Sequence, residues 1–166
     1  MPGVRILRGA LAGAIAGLVG AYAMERFQAL WSETEKRARP KQTAGAAKDE
    51  PATVKAAERA VETVLHVELP DEVKPVAGEA VHYGMGMLSG AIYGAVAEVL
   101  PIVRAGNGLL FGVVLWWVAD ETAVSAVGLA KRPSAYPPST HAYALSSHLV
   151  YGLITETVRR VLRLVP

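Results

Sequence analysis

The sequence predicts an all-α integral membrane protein: a four-helix bundle with a polar insert that carries a short amphipathic helix. Three observations lead there. Of 166 residues, 52% are hydrophobic and only 19% charged, so the chain carries more apolar surface than a small water-borne domain readily buries. The charges are clumped, and they leave four low-charge runs, each near the roughly 20 residues that a helix needs to cross about 30 Å of hydrocarbon. Backbone polar groups in lipid must bond within their own segment, and at this length that means helices.

The same composition excludes other classes. A net charge of +2 on so apolar a chain argues against disorder. Sixteen glycines without a strict triplet rule out collagen. With no cysteine there are no disulfides, no thiolate metal sites and no Cys nucleophile. A pI near 9.0 points towards nucleic acid only weakly, because no basic stripe interleaved with aromatics accompanies it. The length fits one domain, 1–166.

The first span is placed at about 4–31, where Gly9 to Met24 holds no charge and apolar character resumes from Phe27 to Trp31. It is too long, and too charged at its flank, for a cleaved signal peptide. The second span is placed at about 76–100, ahead of Pro101, and the third at about 105–130, ahead of Pro133, Pro137 and Pro138. Proline lacks the donor to continue a helix and disfavours helical geometry in the residue before it. The fourth span runs about 139–160, with Ser139 or Thr140 to cap it.

Between the first two spans lies a polar insert, 32–75. Glu33 to Glu50 reads as a flexible connection. From Pro51 to Val67, Val54, Ala57, Val61, Val64 and Leu65 recur at helical spacing, with Lys55, Glu58, Arg59 and Glu62 opposite. That pattern predicts an amphipathic helix that lies on the membrane surface, caps the bundle or docks a partner.

Glycines repeat every four residues at Gly9, Gly13 and Gly17, and again at Gly86, Gly90 and Gly94. Small residues at that period let helix backbones approach closely in lipid, within the chain or across a homodimer. No strand precedes them and no Gly-Lys-Ser/Thr follows, so they form no nucleotide loop.

Four spans put both termini on one side, with Arg5, Arg8, Arg104, Arg159, Arg160 and Arg163. Lys36, Arg37, Arg39, Lys41, Lys74, Lys131 and Arg132 then fall opposite. The counts nearly balance. Glu33, Glu35 and Glu72 neutralise part of the insert, which favours cytoplasmic termini.

The ionisable residues are placed by depth. At 1.5 Å per residue, Glu25, Glu79, His82, Asp120, Glu121, His141 and His148 all fall within roughly 3 to 15 Å of the insert's membrane face. Asp120 and His148 are the deepest, and charge at such depth points to function. Asp120 or Glu121 is expected to pair with His82 or His148. Glu79 and His82 share a helical face, and carboxylate with imidazole suits zinc, iron or manganese, although di-metal bundles use two Glu-x-x-His motifs and only one is present. Near the opposite face, Glu98 and Glu156 read as ion pairs with Arg104, Arg159 and Arg160.

His82, Tyr93, the Val96-Ala97-Glu98-Val99-Leu100-Pro101 run, Gly108-Leu109-Leu110-Phe111-Gly112, and Ser147-His148-Leu149-Val150 with Glu156 and Arg159-Arg160 together resemble the YagU-like family of bacterial inner-membrane proteins. The resemblance covers 76–163. It implies a small multi-spanning protein of unassigned activity and, from the namesake, a link to acid resistance. Asp120 stands where the family pattern admits a His, and no catalytic residue is carried over.

The leading expectation is therefore an inner-membrane, multi-pass protein whose His/carboxylate layer binds protons or a divalent metal and supports acid or envelope homeostasis. A second reading is an interaction module, a homo-oligomer or partner-binding protein built on the glycine seams and the insert. A third is haem held between His82 and His148 or His141. No catalytic signature appears: there is no Gly-x-Ser-x-Gly and no His-Glu-x-x-His, and Ser147 beside His148 is not a catalytic pair by adjacency.

Overall fold

A computed structural model describes residues 2–38 and 50–164, and within them every regular element is helical. Five helices account for most of it. α1 is Pro2–Ala38, α2 is Ala52–Leu65 and α3 is Lys74–Ala97. α4, 109–126, is built from Leu109–Trp116, a π-helical stretch Trp117–Ala123 and a last turn Val124–Ala126. α5 is Pro138–Leu164.

α1 is longer than the predicted first span. Residues 32–38 continue the helix instead of starting the connection, and Lys36 and Arg37 in its last turn complement the helix dipole. The remainder of the expected flexible connection, 39–49, lies outside the described residues. α2 begins after Pro51 and stops at His66, which adopts a left-handed conformation and returns its N–H to Glu62. Pro75 sits in the first turn of α3, where its missing donor costs nothing.

The third predicted span starts later than its apolar run suggests. Ala105 is extended, and Gly106 and Asn107 are left-handed, so the helix resumes only after Gly108. Asn107 is one of the few residues besides glycine to tolerate that region, and its amide donates to Thr157 Oγ1 at 2.9 Å. Gly108 itself, at φ 88°, sits where a Cβ would come 2.8 Å from Glu156 Cβ. The helix ends early too, at Gly128 with φ 74°.

α1 and α3 run antiparallel in the most extensive contact of the fold. Gly9, Gly13 and Gly17 lie against Gly94, Gly90 and Gly86; a Cβ would collide with the facing backbone at all of them but Gly86, where it would meet the Ala21 Cβ at 2.7 Å. The two stripes thus occupy each other within one chain. α5 packs along α1 and α4, with Gly112 and Gly152 in a second close approach, and α2 packs on α3 through Val54 against Gly78.

The side-chain distribution is inverted relative to a water-borne globule. The buried set is dominated by Gly and Ala together with Ser147, His148, Thr155, Glu156 and Arg159. Large apolar side chains face outward on three helices: Leu7 (60% exposed), Leu11 and Ile15 on α1, Leu88 and Ile92 on α3, and Val114 and Trp117 (65%) on α4. Two segments, Pro2–Ala38 and Pro101–Ala126, are long and apolar enough to cross a membrane. α3 and α5, also expected as spans, are not apolar enough by that measure, because glycines and inward polar groups dilute them.

Candidate functional site

Beneath α2 lies a partly open cavity of about 480 Å³ that all five helices line. Ala21, Met24 and Gln28 come from α1, and Thr53 and Ala56 from α2. His82, Met85 and Ser89 come from α3, Leu115 and Asp120 from α4, and His148 and Tyr151 from α5. A mostly apolar pocket with a few converging polar groups is the usual form of a small-ligand site.

α2 is held over this cavity by charge. Arg59 donates to the Val127 carbonyl at the end of α4. Lys74 lies 2.8 Å from Glu58 and 2.7 Å from Asp71. Its hydrogen bonds to Asp71 and Glu58 raise the Lys74 pKa, and the bond to Lys74 holds the Asp71 carboxyl below the usual carboxylate range.

The pair on the cavity wall is Asp120 and His148, with Oδ2 3.5 Å from Nδ1. His148 is nearly buried, and its Nδ1–H donates to the Ala144 carbonyl at 2.9 Å in the preceding turn of α5. That bond uses Nδ1 and leaves Nε2 without a hydrogen-bond partner among the described residues. Asp120 belongs to the π-helical stretch, a local widening often found at functional sites. It lets two consecutive residues face α5: Asp120 meets His148, and Glu121 Oε1 meets His141 Nδ1 at 2.6 Å.

The remaining candidates go elsewhere. His141 also donates from Nε2 to the Pro133 carbonyl at 3.1 Å, so both its nitrogens are used in tying down the loop. Glu25 accepts from Tyr83 and pairs with Arg26. His82 lines the cavity and donates Nε2–H to the Ala21 carbonyl at 3.2 Å. Glu79 is exposed. Five of the seven residues therefore fall into an Asp120–His148 pair, a Glu121–His141 pair and a contact of Glu25 with Tyr83, while His82 bonds a backbone carbonyl and Glu79 faces outward. Among the described residues no three His, Asp or Glu side chains stand close enough to share a metal ion. The residues present thus do not make a closed metal-ligand set, and His82 already spends Nε2 on a backbone carbonyl.

A second polar centre lies at the opposite end. Glu156 is fully buried and accepts from Arg159 Nε at 2.7 Å, Arg160 Nε at 2.6 Å and Tyr93 OH at 2.9 Å. Glu98 accepts from Arg163 Nε at 2.9 Å and Arg159 Nη1 at 3.3 Å, and Arg5 Nη2 donates to its carbonyl at 2.5 Å. Arg159 and Arg160 make ion pairs here as the sequence suggests, whereas Arg104 makes none among the described residues, and Arg5, Arg163 and Tyr93 are additions of the fold. Tyr93 also stacks on Phe111, with centroids 4.2 Å apart. Tyr83, Tyr93 and Tyr151 escape sequence reasoning as site residues. Their signal is a phenol inside an apolar run, whose hydroxyl must find a partner. Tyr151 finds the Gly86 carbonyl at 2.7 Å and Ser89 Oγ at 2.9 Å.

Residues 39–157 match the family described as a protein of unknown function, DUF1440. The chain belongs to the DUF1440 family. The matched stretch takes in His82, Glu98, Asp120, Glu121, His148 and Glu156. The part of this DUF1440 protein outside it includes all of α1 and the last turns of α5, with Arg5, Arg159, Arg160 and Arg163. No curated protein and no solved structure matches the chain.

Proposed function

We propose that this DUF1440 protein is a multi-spanning protein of the bacterial inner membrane, a four-helix bundle of α1, α3, α4 and α5. In this reading the Asp120–His148 pair takes up and releases a proton and thereby supports acid or envelope homeostasis. The observation that carries the membrane reading is the inverted side-chain distribution, with leucines, valines and tryptophan outside and glycine, alanine and ionised groups inside. Exposed apolar area on three helices has no stable place in water, whereas close glycine seams and inward polar groups are how helices associate in lipid. Cytoplasmic termini follow from the insert's side, where Glu33, Glu35 and Glu72 neutralise part of the basic charge.

The pair suits proton handling for three reasons. An imidazole titrates near ~6.5 when unperturbed. Asp120 stands beside it to balance the added charge, and the cavity under α2 reaches both groups from outside. The resemblance of 76–163 to YagU-like proteins supports the acid-resistance setting.

The chain has no native cysteine, so single cysteines report on exposure directly. In intact membranes, Leu11→Cys, Ile92→Cys and Val114→Cys stay unlabelled by a water-soluble maleimide while Glu62→Cys is labelled. Labelling of all four removes the membrane reading. Asp120→Asn and His148→Gln insert as the wild type does and lose acid protection in cells. Full protection by both variants removes the proton reading alone.

A further inference from the structure

At the end of the fold opposite α2, a partly open pocket of about 490 Å³ is lined by Glu98, Arg104, Arg159, Arg160, Val161, Arg163 and Leu164. We propose that this pocket binds a phosphate group, held by Arg104 and Arg160 at its mouth.

Charge is the first argument. Arg5, Arg104, Arg159, Arg160 and Arg163 gather around Glu98 and Glu156, five guanidinium groups against two carboxylates. Both carboxylates are already saturated with donors. Glu156 accepts from two arginines and Tyr93, and Glu98 faces Arg5, Arg159 and Arg163. A net charge of three positives is therefore left in one concave place, the arrangement that concentrates anions.

The second argument is the division of labour among the arginines. Arg159 is almost completely buried and spends Nε and both terminal nitrogens on Glu156 and Glu98. Arg104, half-buried on the pocket wall, has no hydrogen bond or ion pair among the described residues. Arg160 bonds Glu156 through Nε at 2.6 Å, and its side chain is half exposed. Among the described residues both therefore keep guanidinium N–H groups unused, and a planar guanidinium matches two phosphate oxygens at once.

Thus the buried carboxylates act as a frame. They hold Arg159, Arg160 and Arg163 in place, so that an incoming anion meets donors already oriented. Pre-ordering of this kind lowers the entropic cost of binding.

A phosphate here comes from one of two sources, an anionic lipid headgroup or a soluble phosphate. The lipid source rests on the membrane reading above, and the soluble one does not. Basic pockets between helices near a membrane face are suited to lipid headgroups.

The test uses the full chain purified in mild detergent, with two probes. Inorganic phosphate is titrated calorimetrically, and phosphatidylglycerol retention is read by native mass spectrometry against phosphatidylcholine. One probe at least should bind the wild type, and Arg104→Gln should weaken it about tenfold, the effect of one charge-assisted bond. Because Arg104 makes no hydrogen bond or ion pair among the described residues, its variant should melt as the wild type does, and Arg132→Gln at the other end should bind normally. Response to phosphate alone assigns a soluble ligand, and response to phosphatidylglycerol alone assigns a headgroup. If neither probe binds, or if Arg104→Gln binds both as tightly as wild type, the proposal is overturned. If α1 and α4 cysteines are labelled from water while phosphate still binds, the membrane reading fails and the site stands.

Discussion

Tyr93 and Glu156, 63 residues apart in sequence, meet in a 2.9 Å hydrogen bond between α3 and α5. Glu156 has no exposed surface, and Arg159, held to it by two bonds, is only 3% exposed. A buried ion pair contributes little net stability against well-packed apolar side chains, but removing one partner strands the other charge.

Tyr93→Phe should therefore cost about 1–3 kcal/mol, because the carboxylate loses one of its donors. Glu156→Ala should cost about 3–5 kcal/mol, since Arg159 then keeps only its long contact to Glu98. Thermal melting in detergent, followed by helical circular dichroism, checks both values. A smaller loss for Glu156→Ala than for Tyr93→Phe would contradict the burial described here.

The glycine seam makes a paired prediction. At Gly90 an added Cβ would stand 2.8 Å from Gly17 Cα, whereas at Gly84 nothing lies within 4 Å. Gly90→Ala forces the helices apart and should cost about 1–3 kcal/mol. Gly84→Ala should be neutral or stabilise by up to about 1 kcal/mol, from the lower backbone entropy of alanine in a helix. The same melting experiment reads both variants.

The turn that leads into α3 carries a pH dependence. Lys74 holds the Asp71 carboxyl below its ordinary value of 3.8. Its stabilising contribution is accordingly complete above that value, and it fades as pH falls through the lower folded-state pKa. Asp71 is well exposed, so the effect is local. Amide exchange at residues 71–74, normalised for its intrinsic pH dependence and compared with α1, should rise below pH 3.8, and Lys74→Met, which also loses Glu58, should raise exchange in α2 at neutral pH. Unchanged exchange in Lys74→Met would mean that α2 is held by Arg59 and Val54 alone.

Much of the secondary structure is legible from charge spacing. Runs low in charge mark α1, α3, α4 and α5 to within a few residues at most ends, and the apolar period of 51–67 marks α2. The errors fall where short-range geometry outweighs hydropathy. Gly106, Asn107 and Gly108 delay α4 because their left-handed backbone cannot be read from an apolar average. Residues 32–38 extend α1 because charged helix formers look like a connection to a hydropathy scan.

The candidate site is legible only in part. Depth arguments place Asp120 and His148 at one level, and the structure sets them 3.5 Å apart. The same arguments place Glu79 and His141 at that level, yet one is exposed and the other is engaged with Glu121 and Pro133. Depth measures height along a helix, and nothing in it measures the direction a side chain takes.

The linear order of residues was enough to establish helices, their approximate ends, the absence of thiol chemistry and the existence of two glycine stripes. Those properties are local, set by backbone sterics and by the spacing of apolar and charged groups. Which stripe lies on which, that Asp120 and Glu121 both turn towards α5, and that Arg5 joins Glu98 from 93 residues away were decided by packing in three dimensions. Rotation about each helix axis depends on every neighbour at once, and so no single segment contains it.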